Sequence, residues 1–414
     1  MKKIIGIAFS VIFCLSVYSQ NLEKCITTRL VNYEKLLNPE YQINRNQIIN
    51  NNSVWKKQNH KENKDLAIKI PIVIHIIYKQ NHPNIGYGTN IPTEQIEDAI
   101  RILNEDYSKT NPEFPNPPRN AFLNVSGNPN LEFCLATIDP DGNPTNGVTR
   151  TLASNGTGTF DADDNTDANA MKLDQSGGKD GWDPSKYLNI WICDLINSQS
   201  GGMTLGYAYL PGLPFWSAWK DGLVVDYRYF GTTGMAAPSS DGRTATHEIG
   251  HYLGLQHTFC ESSSGGCCDN DDSNVYDTPA TDGIYWGSVN AFTSNNTCND
   301  ILYGFSSDLL DMDENYMSYS RDTWMFSEDQ ATEMNATLNG YRSSLRNSVS
   351  NGTTVNCTGT IPSDIQEHLK NLNIKVYPNP TKNHLNISGD FNLIERICIY
   401  NFLGVKVYER TTNL

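Results

Sequence analysis

The chain has 414 residues, 38% of them hydrophobic, and a formal net charge of -15. That length allows two or more folded units, and that composition supports a packed core and excludes a disordered chain. The acid excess repels phosphate backbones and anionic lipid, which removes nucleic acid and membrane surfaces as partners and favours cations and basic peptides.

In chain order, residues 1–19 read as a secretory signal peptide. Lys2 and Lys3 precede an apolar run from Ile4 to Val17, with small and polar residues after it. Cys14 would leave with this segment, and Phe13 before it is too bulky for a lipoprotein signal. No other stretch is long and apolar enough to cross a bilayer, so the mature protein is expected to be secreted, extracellular or at the cell surface. Residues 20–66 are polar and rich in Asn and Lys, and suit a pro-segment or a solvated arm better than a core. The β-branched run "AIKIPIVIHIIY" predicts a buried strand at 68–78. "PTEQIEDAIRILNEDY" carries Ile96, Ile100 and Leu103 at helical spacing and predicts a helix at 93–107 with Thr93 as its N-cap. "NLEFCLATID", "YLNIWICDL" (187–195), "LGYAYL" and "GLVVDYRYF" read as further strands. Strands in series with few interleaved helices give an α+β pattern rather than regular βαβ alternation.

From Glu261 to about Met312 periodicity is lost, and a loop this long needs disulfides or a bound ion to hold it. "SEDQATEMNATLNGYRSSL" then places Ala331, Met334, Leu338, Tyr341 and Leu345 on one helical stripe, with Ser327 and Gln330 spaced as a capping box. The main folded unit is thus expected over 67–346 and a linker over 347–368. Residues 369–414 show short alternating strands of a separate small β module. A sandwich needs about seven strands, so the sequence is expected to stop inside that module.

Outside the cell, Cys260, Cys267, Cys268 and Cys298 read as two disulfides. "GGCC" lacks the two-residue gap usual in zinc-ligand pairs. Adjacent Cys267 and Cys268 do not easily bond each other, so each is expected to reach Cys260 or Cys298, in either order. Cys134 and Cys193 lie in apolar strand-like runs and read as buried thiols.

The stretch "HEIGHYLGLQH" carries the chemistry. On a helix, His247 and His251 are four residues apart and project the same way. Gly254 is placed to end that helix in the left-handed conformation, and the turn it allows brings His257 back beside them. Three neutral imidazoles with one open position are what a catalytic zinc requires. Glu248 is poorly spaced to be a fourth ligand but can reach a metal-bound water as general base and acid. The chance alternative is weak, because a third His and a Gly must also fall at fixed offsets from H-E-x-x-H.

"HEIGHYLGLQH" followed by "ENYMSY" resembles the metzincin zinc endopeptidases. The wider context "DTPATDG…NYMSYSRDTWMFSEDQATEM" resembles their pappalysin branch, and within it the ulilysin-like bacterial proteases. The resemblance implies an α+β catalytic domain, a mixed twisted sheet with a zinc-binding helix and a C-terminal helix, followed by the truncated sandwich-like module. It implies zinc on His247, His251 and His257, Glu248 as the general base and acid of peptide-bond hydrolysis, and Met317 as a hydrophobic floor under the metal. It further implies Tyr319 near the oxyanion, and Asp322 favouring a basic residue just after the scissile bond. It makes Cys25 the pro-segment ligand that caps zinc in a latent zymogen, although Ile26 stands where related sequences have glycine. Calcium is implied near Asp272, Asp277 and Thr278, although Ser273 replaces an expected acid, and Trp324 stands where a family cysteine would be. "VYPNPTKNHLNI" resembles the start of a type IX secretion sorting domain, which implies that secretion machinery as a partner besides protein or peptide substrates. The competing readings are a catalytically inactive zinc-binding surface or adhesion protein on the same fold, and a zinc hydrolase acting on something other than peptides.

Overall fold

The computed structural model describes residues 22–58, 66–199, 203–237, 239–261, 266–267 and 274–357, together with short strands of the C-terminal module. The expected signal peptide lies outside these residues. The chain opens with strand β1 (Leu22–Cys25) and helices α1 (Thr27–Leu37) and α2 (Pro39–Gln58). Strand β2 (Ile68–Tyr78) and helix α3 (Thr93–Ser108) follow, as the patterning predicts. Pro92, not Thr93, holds the N-cap position of α3, and no side chain caps it. A proline there already fixes the extended backbone that an N-cap needs.

Strands β3 (Ser126–Gly127), β4 (Leu131–Ala136), β5 (Val148–Leu152), β6 (Thr159–Asp161), β7 (Leu188–Ile196), β8 (Met203–Ala208) and β9 (Leu223–Asp226) lead to helix α4 (Thr244–Tyr252). After an irregular stretch come β10 (Phe326–Ser327), α5 (Glu328–Asn339), α6 (Ser343–Asn347) and β11 (Val355–Asn356). The expected single C-terminal helix is two. The chain breaks at Gly340, and Tyr341 between the halves is 44% exposed rather than on a buried stripe. The capping box of Ser327 and Gln330 is present at the start of α5.

The main sheet runs β1-β8-β9-β7-β2-β4-β11, with β5 also pairing β2 and β6 pairing β7. It is mixed: β2 is parallel to β4, β5 and β7, while β8 is antiparallel to β9. Both faces are covered, which is why β2 reads as continuous apolar sequence rather than alternation. On one face Ile70, Ile72, Ile74 and Ile76 pack against Ile96, Ile100 and Leu103 of α3 and Ile249 of α4. On the other, Ile77, Trp191, Cys193 and Tyr207 pack against Ile26, Leu30, Val31 and Tyr41 of the N-terminal segment. The N-terminal residues are therefore no solvated arm: their strand extends the sheet and their helices cap it.

Two further expectations are corrected. Cys134 is not a free thiol; it is disulfide-bonded to Cys357, 223 residues away, whereas Cys193 is free and buried as expected. The linker expected from 347 is docked over its first part, because β11 adds to the edge of β4 beside that disulfide. In the C-terminal module, β12 (Lys375–Tyr377) pairs β13 (Asn386–Ser388) and β14 (Arg396–Tyr400) pairs β15 (Lys406–Thr411), all antiparallel.

Candidate active site

Helix α4 brings His247, Glu248 and His251 into the core, where all three are at most 1% exposed. Gly254 at φ 108 ends the helix in the left-handed region, as its placement predicts, and Leu255 N–H donates back to the Gly250 carbonyl at 3.0 Å. The chain turns and returns His257. The three Nε2 atoms then lie 3.1 Å from one another.

The opposite ring nitrogens fix what those atoms are. His247 Nδ1 lies 2.7 Å from the Tyr316 carbonyl and His251 Nδ1 lies 2.8 Å from the Leu255 carbonyl. A carbonyl only accepts, so each Nδ1 carries the proton and each Nε2 turns a lone pair inward. His257 Nδ1 meets the carboxylate of Glu261. Burial, with the other rings adding to it, drives His247 well below the usual histidine range and His251 down to about 3. Neutral imidazoles with converging lone pairs repel unless a cation sits between them. Zinc–nitrogen bonds of about 2.0–2.1 Å at tetrahedral angles place donors roughly 3.3 Å apart, close to what is observed. The residues present fit zinc.

The fourth member of the cluster comes from the N-terminal segment. Cys25 Sγ and the three imidazoles all lie within 4.8 Å of one another. The same Sγ is 3.4 Å from Glu248 Oε2, and Thr27 Oγ1 is also 3.4 Å from that oxygen. Burial pushes the Glu248 carboxyl up to about 8, and its Oε1 has no hydrogen-bond partner among the described residues.

Met317 is wholly buried under the helix. A Cβ on Gly250 would come within 2.4 Å of its sulfur, so a larger residue there would push the Met317 side chain aside. Tyr319 packs its ring 4.9 Å from that of His257, and its hydroxyl donates to the Cys25 carbonyl at 2.9 Å. Asp322 is exposed, with φ 63, three residues beyond Tyr319 on the same loop.

The calcium candidates do not assemble among the described residues. Asp272 lies outside them, Thr278 is buried, and Asp277 accepts from Ser327 Oγ at 2.5 Å and from Asp329 N–H at 2.9 Å. Burial lifts Asp277 to about 6, and its oxygens hold the start of α5. Of the loop cysteines, Cys267 bonds Cys298, Cys260 is also disulfide-bonded, and Cys268 lies outside the described residues. Sequence reasoning missed Glu261, Gly250 and the backbone of Tyr316. It also missed Asp106, which accepts from the Tyr316 hydroxyl and from Thr246 Oγ1, each at 2.7 Å, and so braces the zinc helix against the Met317 turn. Only Glu261 carried a readable signal, its spacing of four from His257.

A family model for pregnancy-associated plasma protein-A matches residues 172–339, and one for a secretion system C-terminal sorting domain matches residues 375–414. Mature mirolysin of Tannerella forsythia in complex with a cleaved peptide is 34% identical in sequence, with TM-score 0.57, over 70% of this chain and 98% of that one. The chain belongs to the pregnancy-associated plasma protein-A family of peptidases. A promirolysin mutant of the same organism is 30% identical, with TM-score 0.62, over 80% of this chain and 99% of that one. Extracellular metalloprotease 1 of Coccidioides posadasii is 27% identical over 281 residues, 66% of this chain and 78% of that protein. The protein is a secreted metalloendopeptidase of metzincin fold, acts outside the cell or at its surface, and carries a sorting tail. Membership implies a catalytic zinc.

Proposed function

We propose that the chain is a latent zinc endopeptidase in which residues 20–66 form the pro-segment and the described structure is the inhibited form. The observation that carries this is the convergence of three lone-pair nitrogens, 3.1 Å apart, with the Cys25 sulfur closing the same cluster. The longer match to promirolysin than to mature mirolysin supports the same assignment. His247, His251 and His257 would hold zinc, which when bound lowers the pKa of a ligating water and polarises a carbonyl.

The chain's own residues supply the rest. β1 lies parallel along β8, on the side of that strand away from β9. Its removal frees the edge of β8 to pair with the backbone of an extended peptide. The departure of Cys25 and Thr27 frees Glu248 Oε2, which then takes the proton of the attacking water and delivers it to the leaving amine. The Tyr319 hydroxyl loses the Cys25 carbonyl it now serves and turns to the oxygen of the scissile carbonyl. Asp322 favours a basic residue just after the scissile bond.

Glu248→Ala tests the assignment. Processed enzyme carrying it should keep its zinc and its melting temperature, and lose on the order of 10²–10⁴-fold in kcat/KM toward a quenched peptide. Undiminished hydrolysis by that variant would remove Glu248 from the chemistry.

A further inference from the structure

Lys24, the residue before Cys25, is placed unusually for a lysine. It is only 8% exposed, and its ammonium forms no ion pair among the described residues. Lysine amines are rarely buried without a carboxylate, because the lost hydration costs several kcal/mol. Here Nζ has instead the Ser320 carbonyl at 3.5 Å and the face of Tyr319, with the ring centroid at 6.0 Å. The surroundings are thus a carbonyl oxygen and a π face, a place that accepts a cation from an extended chain. Tyr319 and Ser320 belong to the loop that continues to Asp322, and Cys25 beside Lys24 points at the three histidines.

From this geometry we infer that Lys24 is an internal mimic of the substrate's basic side chain, and that the Ser320 carbonyl and Tyr319 ring line the subsite which takes that side chain in a substrate. This rests on the reading above that the enzyme prefers a basic residue beside the scissile bond. The pro-segment then inhibits through two adjacent residues. Cys25 occupies the metal's open position, and Lys24 occupies the neighbouring specificity pocket. A Lys or Arg substrate has to enter the site that Lys24 vacates.

The test compares full-length Lys24→Met and Lys24→Arg with the unaltered chain. Position 24 is absent from the processed enzyme, so all three yield the same mature protein and differ only in latency. Processing is followed on gels, and activity with two quenched peptides that differ only in Lys or Met after the scissile bond. Met fills the same volume without the charge, and the melting temperature of the latent form checks that the variant still folds. The expected result is processing at least about tenfold faster for Lys24→Met, the scale of one lost hydrogen bond to a charged group. Lys24→Arg should process within about twofold of the unaltered chain, and the mature enzyme should prefer the Lys peptide by a similar tenfold margin. If Lys24→Met is as latent as the unaltered chain while the mature enzyme still prefers Lys, the inference fails and the basic preference stands. If the mature enzyme treats the two peptides alike, the basic preference fails and takes the inference with it.

Discussion

Helices α2 and α3 are of comparable length, 20 and 16 residues, and both dock on the catalytic unit, yet different forces hold them. α3 presents Ile96, Ala99, Ile100, Leu103 and Tyr107 to the sheet, a continuous apolar stripe. α2 buries Tyr41, Arg45, Ile48 and Asn52, and attaches mostly by polar atoms. Tyr41 donates to the Leu210 carbonyl at 2.8 Å and Arg45 to the Pro211 carbonyl at 3.2 Å. Asn52 donates to Glu333 at 2.7 Å and to Thr337 at 2.9 Å. Lifting an apolar stripe off the sheet would bare two greasy surfaces to water, which is strongly unfavourable. Hydrogen bonds can be remade with water, at a net cost of only about 1 kcal/mol each. The second kind of attachment suits the segment proposed to leave, and the first suits a permanent core.

Truncation inside the α3 stripe should do the most damage. Ile100→Ala is expected to cost about 2–5 kcal/mol, lowering the melting temperature of the latent and processed forms alike. If only the latent form suffers, α3 is not part of the permanent core. Next comes acid. His75 in β2 sits fully buried between Thr149 Oγ1 at 2.8 Å and Asn189 Oδ1 at 3.0 Å, with the Trp191 ring against it. Burial pushes its pKa down to about 4. A folded-state value below the unfolded one means the stability is present above about pH 6.5 and is lost as pH falls through about 4, by roughly 3 kcal/mol at 1.36 kcal/mol per unit. Melting temperature against pH should show this loss in both forms, and His75→Gln should flatten the profile. The smallest effect should come from Asn52→Ala, about 1–2 kcal/mol. It should destabilise the latent form, hasten processing and leave the processed enzyme unchanged. An equal loss in the processed enzyme would break the distinction between the two helices.

The same contrast explains what the sequence made legible. Strand β2 and helix α3 announce themselves because apolar periodicity is what holds them. The metal cluster was legible because ligand spacing on a helix is dictated by the 100° turn per residue, and Cys25 because of its resemblance to latent relatives. Helix α2 was not, because its buried face includes Arg45 and Asn52, which read as solvent-facing in any periodicity count. The bond between Cys134 and Cys357 joins positions 223 residues apart, and strand β11 is only two residues long, too short to carry a pattern. The supports of the histidines escaped notice for another reason: Tyr316 and Leu255 act through backbone carbonyls, which every residue has.

The central claim is that His247, His251 and His257 grip a catalytic zinc in the processed enzyme. Elemental analysis of that enzyme, paired with activity across a chelator titration, tests it most directly. Zinc should be present in stoichiometric amount, and its loss should run in step with the loss of peptide hydrolysis, both reversed on adding zinc back. Full activity in protein that retains no transition metal would contradict the account.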